Sequence, residues 1–117
     1  MVRALTAALP LLALVAQDAD AAAGRYRLAL PHPVHTGERV ILQVSVGTLP
    51  KGTEIVVTTP SGELLGAVSP FGTTGPAIYQ LPVPNTTRAM RLVVRRFGVS
   101  PRPPNAQELT GLKLVVR

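Results

Sequence analysis

A chain of 117 residues has room for one domain and excludes a second core. It contains no Cys, so no disulfide staples it and no lipid can be attached through a thiol. Twelve Lys and Arg against six Asp and Glu give a net charge of +6, which attracts anionic partners at long range and does not bear on the fold.

Residues 1–23 read as a cleavable signal peptide. Met1-Val2-Arg3 is a short positive start, an apolar run broken only by Thr6 and Pro10 follows as far as Ala16, and a polar, small-residue stretch closes the segment. The run ends at Gln17-Asp18, short of the roughly 20 apolar residues that span a bilayer, so no transmembrane span is expected after cleavage. Ala23 is the favoured cleavage point and Ala21 the competing one. With Arg3, Asp18 and Asp20 removed, residues 24–117 carry 11 basic and four acidic residues, a net +7. A secreted or periplasmic location follows from this reading.

From Arg25 onward, apolar residues recur at every second position and Gly, Pro, Asn or Ser interrupts them at intervals of about 8–12 residues, the pattern of an all-β domain. Tyr26, Leu28 and Leu30 mark a first strand that ends at Pro31. Pro31 and Pro33 then hold the chain extended, and Thr36-Gly37 turns it. The clearest strand is the second, with Val40, Leu42, Val44 and Val46 on one face. Residues 54–59 and 63–68 form a hairpin across Thr59-Pro60-Ser61-Gly62. A Gly- and Pro-rich loop carrying Phe71 leads to a fifth strand over 77–83, with Ile78, Leu81 and Val83 as apolar contacts. Pro82 and Pro84 cannot donate to a ladder, so this strand is expected at a sheet edge or to end early.

The sixth strand, 90–97, points Met90, Leu92 and Val94 one way and Arg91, Val93 and Arg95 the other. Arg96 breaks that parity, which predicts a bulge or the strand end. Residues 98–110 read as the longest loop, with one helical turn capped by Asn105 and stopped by Gly111. A last strand covers 112–116. About seven short strands joined by tight turns make a small antiparallel β-sandwich, which resembles in architecture the immunoglobulin and fibronectin type III domains. The Cys pair and buried Trp of the immunoglobulin pattern are missing, and so is a Tyr near the start of the sixth strand. The resemblance therefore transfers no functional residue.

Catalysis is not expected. Only His32 and His35 could act as a base beside a nucleophile, and of the four Glu that could form a carboxylate pair, Glu38, Glu54, Glu63 and Glu108, the first three read as solvent-facing residues at strand or turn edges. His32-Pro33-Val34-His35 is a weak copper or zinc site by composition, with Glu38 or Met90 as conceivable third ligands. If the first, sixth and last strands share a sheet, then Arg25, Arg27, Arg91, Arg95, Lys113 and Arg117 point outward together as a basic face. That face suits a protein partner or an anionic envelope component. Phe71, flanked by Gly and Pro, is a loop contact residue. Four aromatics and an exported location disfavour specific nucleic-acid binding, and no cofactor is implied. The main expectation is an exported, non-catalytic binding module. The alternatives are the histidine metal site and an assembly subunit that pairs through an edge strand.

Overall fold

The computed structural model describes residues 20–69 and 76–117. The expected leader lies outside the described residues except for its last four positions, and Phe71 lies outside them. Ala21–Ala23 form one 3-10 turn that closes on Gly24, whose φ of 75° lets its N–H reach Ala21 O at 3.0 Å. A Cβ on Gly24 would come within 2.4 Å of Leu92 O, so the chain enters its first strand where only glycine fits.

Eight strands follow: β1 (Arg25–Arg27), β2 (Val40–Val46), β3 (Thr53–Thr58), β4 (Leu64–Val68), β5 (Ala77–Val83), β6 (Ala89–Arg96), β7 (Val99–Arg102) and β8 (Leu109–Val116). They build two antiparallel sheets. One runs β1-β6-β3-β4, with β7 also pairing β6, and the other runs β5-β2-β8.

The alternating sequence explains how the sheets meet. Ile55, Val57, Met90, Leu92 and Val94 from the first sheet share one core with Val40, Leu42, Val44, Val46, Leu112 and Leu114 from the second. β2 has apolar residues of both parities at its start, and it occupies the centre of its sheet, where even the outward Ile41 is buried. The β3–β4 hairpin closes as its turn residues predict: Gly62 N–H donates to Thr59 O at 2.9 Å, and Thr59 Oγ1 accepts Glu63 N–H at 3.0 Å. β5 lies at a sheet edge, where Pro82 opposite Ile41 leaves no ladder donor missing from the interior.

Four expectations are corrected. β7 forms inside the stretch read as a loop, because Phe97-Gly98 turns the chain back and lets Val99 and Arg102 pair with Arg96 and Val94. That ladder shifts register between Val94 and Arg96, where Arg96 breaks the parity. β8 starts at Leu109, and Gly111, instead of stopping a helix, pairs with Ser45. In β5 it is Tyr79 that packs against the core, with Leu81 and Val83, while Ile78 is exposed, since the register sets Tyr79 opposite Val44 and Ile78 opposite Ser45. β1 ends at Arg27, although Leu28 still donates to Arg88 O at 2.8 Å and is buried. No helix among the described residues is long and apolar enough to cross a membrane.

Candidate functional site

Alternation tells which side chains face out of a sheet, but it does not tell which sheet a strand joins. β1 and β6 do pair, yet β8 joins β2, so Lys113 lies opposite Gln43 on the other sheet and Arg117 extends that ladder beside Arg39. The six-residue basic face is therefore divided between opposite sides of the domain. Four of its arginines remain on the sheet of β1 and β6.

Arg95 is taken up locally. Its Nε donates to Glu54 Oε2 at 2.8 Å, its Nη2 bonds the same oxygen, and Ser69 Oγ donates to Glu54 Oε1 at 3.0 Å. The Arg95 guanidinium, helped by Ser69, holds the Glu54 carboxyl below the usual carboxylate range against the opposing pull of desolvation. Arg88, near the end of β1, spends its Nη1 on Asn85 O and Thr87 O, both at 2.7 Å.

Arg25 and Arg91 differ from these. They are direct register partners, Arg27 stands two residues along the same face, and all three are exposed. The flanking bonds, Leu92 N–H to Gly24 O and Leu28 N–H to Arg88 O, both at 2.8 Å, place Arg25–Arg91 in the non-hydrogen-bonded class of antiparallel pair. In that class the facing side chains approach most closely. Neither guanidinium has an acidic partner among the described residues. Together with Arg27 and Pro60 they border a hollow of about 390 Å³. Two like charges held face to face, neither in an ion pair among the described residues, make a place where an anion lowers the energy of the folded chain.

A larger groove of about 700 Å³ lies beyond the far end of β6 and includes Lys51, Arg96, Phe97 and Val99 among its walls. Phe97 is wholly exposed at the tip of the β6–β7 hairpin. Sequence reasoning placed the contact aromatic at Phe71 and passed over Phe97, because without β7 there was no hairpin to hold Phe97 out. The signal was present as Phe-Gly between two strands.

Glu108 is the one buried acid among the described residues. Arg102 grips it with two bonds of 2.7 Å, and Asn105 N–H donates to its Oε1 at 3.0 Å. Asn105 Oδ1 in turn accepts the N–H groups of Gln107 and Glu108 at 2.9 Å, completing a reciprocal capping box that closes the turn into β8. The Arg102 guanidinium, and behind it the Asn105 amide, keep the Glu108 carboxyl below its ordinary range although burial pushes the other way.

The two histidines also come together. In the segment between β1 and β2, His32 and His35 stack with ring centroids 5.5 Å apart, and Glu38 stands beside them. Met90, the other conceivable ligand, is buried in the core.

No family model matches this chain, and no curated protein and no solved structure matches it either.

Proposed function

We propose that this chain is an exported, non-catalytic binding module of immunoglobulin-like sandwich architecture that docks on an anionic lipid surface of the cell envelope through Arg25, Arg27 and Arg91. The observation that carries the reading is the facing pair Arg25–Arg91, exposed and with no ion-pair partner among the described residues, while Asp20, the backbone bridge partner of Arg25, falls within the expected leader. Lipid phosphates supply the missing charge, and each arginine near such a surface contributes to attraction that salt weakens. What favours a lipid over an acidic protein is Phe97. β6 runs from Arg91 toward this exposed aromatic over roughly 20 Å, and an exposed apolar ring beside a basic surface buries itself at the boundary between headgroups and acyl chains.

Co-sedimentation with phosphatidylglycerol vesicles tests the proposal, with phosphatidylcholine vesicles as the uncharged control. Arg91→Glu and Lys113→Glu change the net charge equally but on opposite sheets. Arg91→Glu is expected to weaken binding by about thirtyfold, and Lys113→Glu by no more than a fewfold. An equal loss in both variants means that net charge alone drives binding, and the arginine surface is then not the docking face. Retention by neither kind of vesicle, together with capture of an acidic protein that Arg91→Glu abolishes, moves the ligand from lipid to protein.

A further inference from the structure

We infer that His32, His35 and Glu38 form a surface site for one divalent transition-metal ion of the imidazole-preferring class, copper(II) or zinc. The inference does not depend on the arginine surface. It rests on three donors that the fold brings together: one ligand atom from each residue lies within 4.8 Å of the other two.

The distances suit an ion. Two donors bound to one zinc at about 2.05 Å and at the tetrahedral angle stand about 3.3 Å apart. His35 Nδ1 and Glu38 Oε1 are 3.4 Å apart. His32 is exposed, so its ring has room to adjust toward the other two donors. His32 Nδ1 lies 2.8 Å from Pro33 O, a group that can only accept, so the tautomer that makes this bond has its proton on Nδ1 and leaves the Nε2 lone pair for the metal. A backbone carbonyl behind the ligating ring is the usual outer support of a metal-bound histidine.

The segment is ordered before any ion arrives. Pro31 and Pro33 restrict the backbone on both sides of His32. Residues 35–38 form a tight turn in which Glu38 N–H donates to His35 O at 3.0 Å, and Gly37, with φ at 87°, takes the position that a type II turn reserves for glycine. Glu38 Oε1 accepts His35 N–H at 2.7 Å, which aims the carboxylate at the ring. Asn85 ties the turn to the domain: its Nδ2 donates to Glu38 O at 3.3 Å, and its Oδ1 accepts Val40 N–H at 3.0 Å. Little ordering remains to oppose binding.

The donor set selects the metal class. Magnesium and calcium favour oxygen ligands, whereas two imidazoles and one carboxylate suit zinc and copper, with copper the tighter of the two by the usual order of affinities. Three protein ligands leave a position for water.

Calorimetric titration of the full chain with copper(II), zinc and magnesium tests the inference. One equivalent of copper or zinc is expected to bind and magnesium is not. The double variant H32A/H35A is expected to lose this binding. Glu38→Gln keeps the oxygen that accepts His35 N–H, so the turn survives, and the loss of the anionic donor is expected to weaken binding by about tenfold or more, since even outer-shell partners count for that much. Absence of heat with both copper and zinc at micromolar metal overturns the site. So does unchanged affinity in H32A/H35A, which would assign the ion to other donors such as the terminal amine. Unchanged affinity in Glu38→Gln removes the carboxylate from the ligand set.

Discussion

Replacing Glu108 by alanine is expected to cost the domain about 2–3 kcal/mol, read as a lowered midpoint in urea. Glu108 is only 3% exposed, and its carboxylate satisfies three groups at once, the two arms of Arg102 and the Asn105 amide. Its loss opens the turn whose carbonyls hold the connection between β2 and β3: Gly47 N–H donates to Glu108 O at 3.0 Å, and Thr48 N–H to Gln107 O at 2.8 Å. The same group makes stability depend on pH. Its carboxyl is held, chiefly by the Arg102 guanidinium, below the 4.5 of an ordinary glutamate, so the folded state binds that proton less readily than the unfolded chain does. The stabilisation is complete above about pH 4.5 and is lost as the pH falls through the lower, folded value. Thermal unfolding followed from pH 7 to pH 3 will show a steeper acid loss in the native chain than in Glu108→Gln. Parallel curves would remove Glu108 from the account of acid sensitivity.

Leu42→Ala is the second large loss, at about 3 kcal/mol. Leu42 is wholly buried in the central strand β2, with Leu81 opposite it on β5 and Leu114 on β8. Three strands hold the surrounding backbone, so the site cannot collapse and the cavity term is nearly fully expressed. No disulfide compensates for the loss, and 3 kcal/mol is a large part of the roughly 5–10 kcal/mol that a small domain has. Ile78→Ala, in the same sheet but exposed, is the control and will move the urea midpoint little.

The all-β class, the strands over 40–46 and 89–96, the β3–β4 hairpin and the edge position of β5 were all legible in the sequence, because each is written in local alternation and turn chemistry. Val40, Leu42, Val44 and Val46 point inward as their spacing predicts, and so do Met90, Leu92 and Val94. Sheet membership was not legible. Lys113 has the same outward parity as Arg91, and only the pairing of β8 with β2 puts it on the far side. β7 was hidden by composition: Ser100-Pro101-Arg102 reads as a loop, yet at the sheet edge beside β6 a proline is tolerated. The ion pairs were beyond reach for another reason. Arg95 and Glu54 are distant in sequence and meet only through the β3–β6 register, which also decides which arginines stay unpaired. The histidine cluster lies between these cases. His32 and His35 could be noticed and Glu38 named as a candidate, but the turn and its tie to Asn85 are tertiary facts.

The Arg25–Arg91 pairing is the feature on which the functional account turns, and amide chemical-shift mapping locates its ligand most directly. When bicelles containing phosphatidylglycerol are added to the isotope-labelled domain at low salt, the account predicts that the largest shifts fall on β1, on β6 and on the hairpin around Phe97, and disappear in Arg25→Glu/Arg91→Glu. Shifts centred on Lys113 and Arg117 in the opposite sheet, or a response that survives the double reversal, would contradict it.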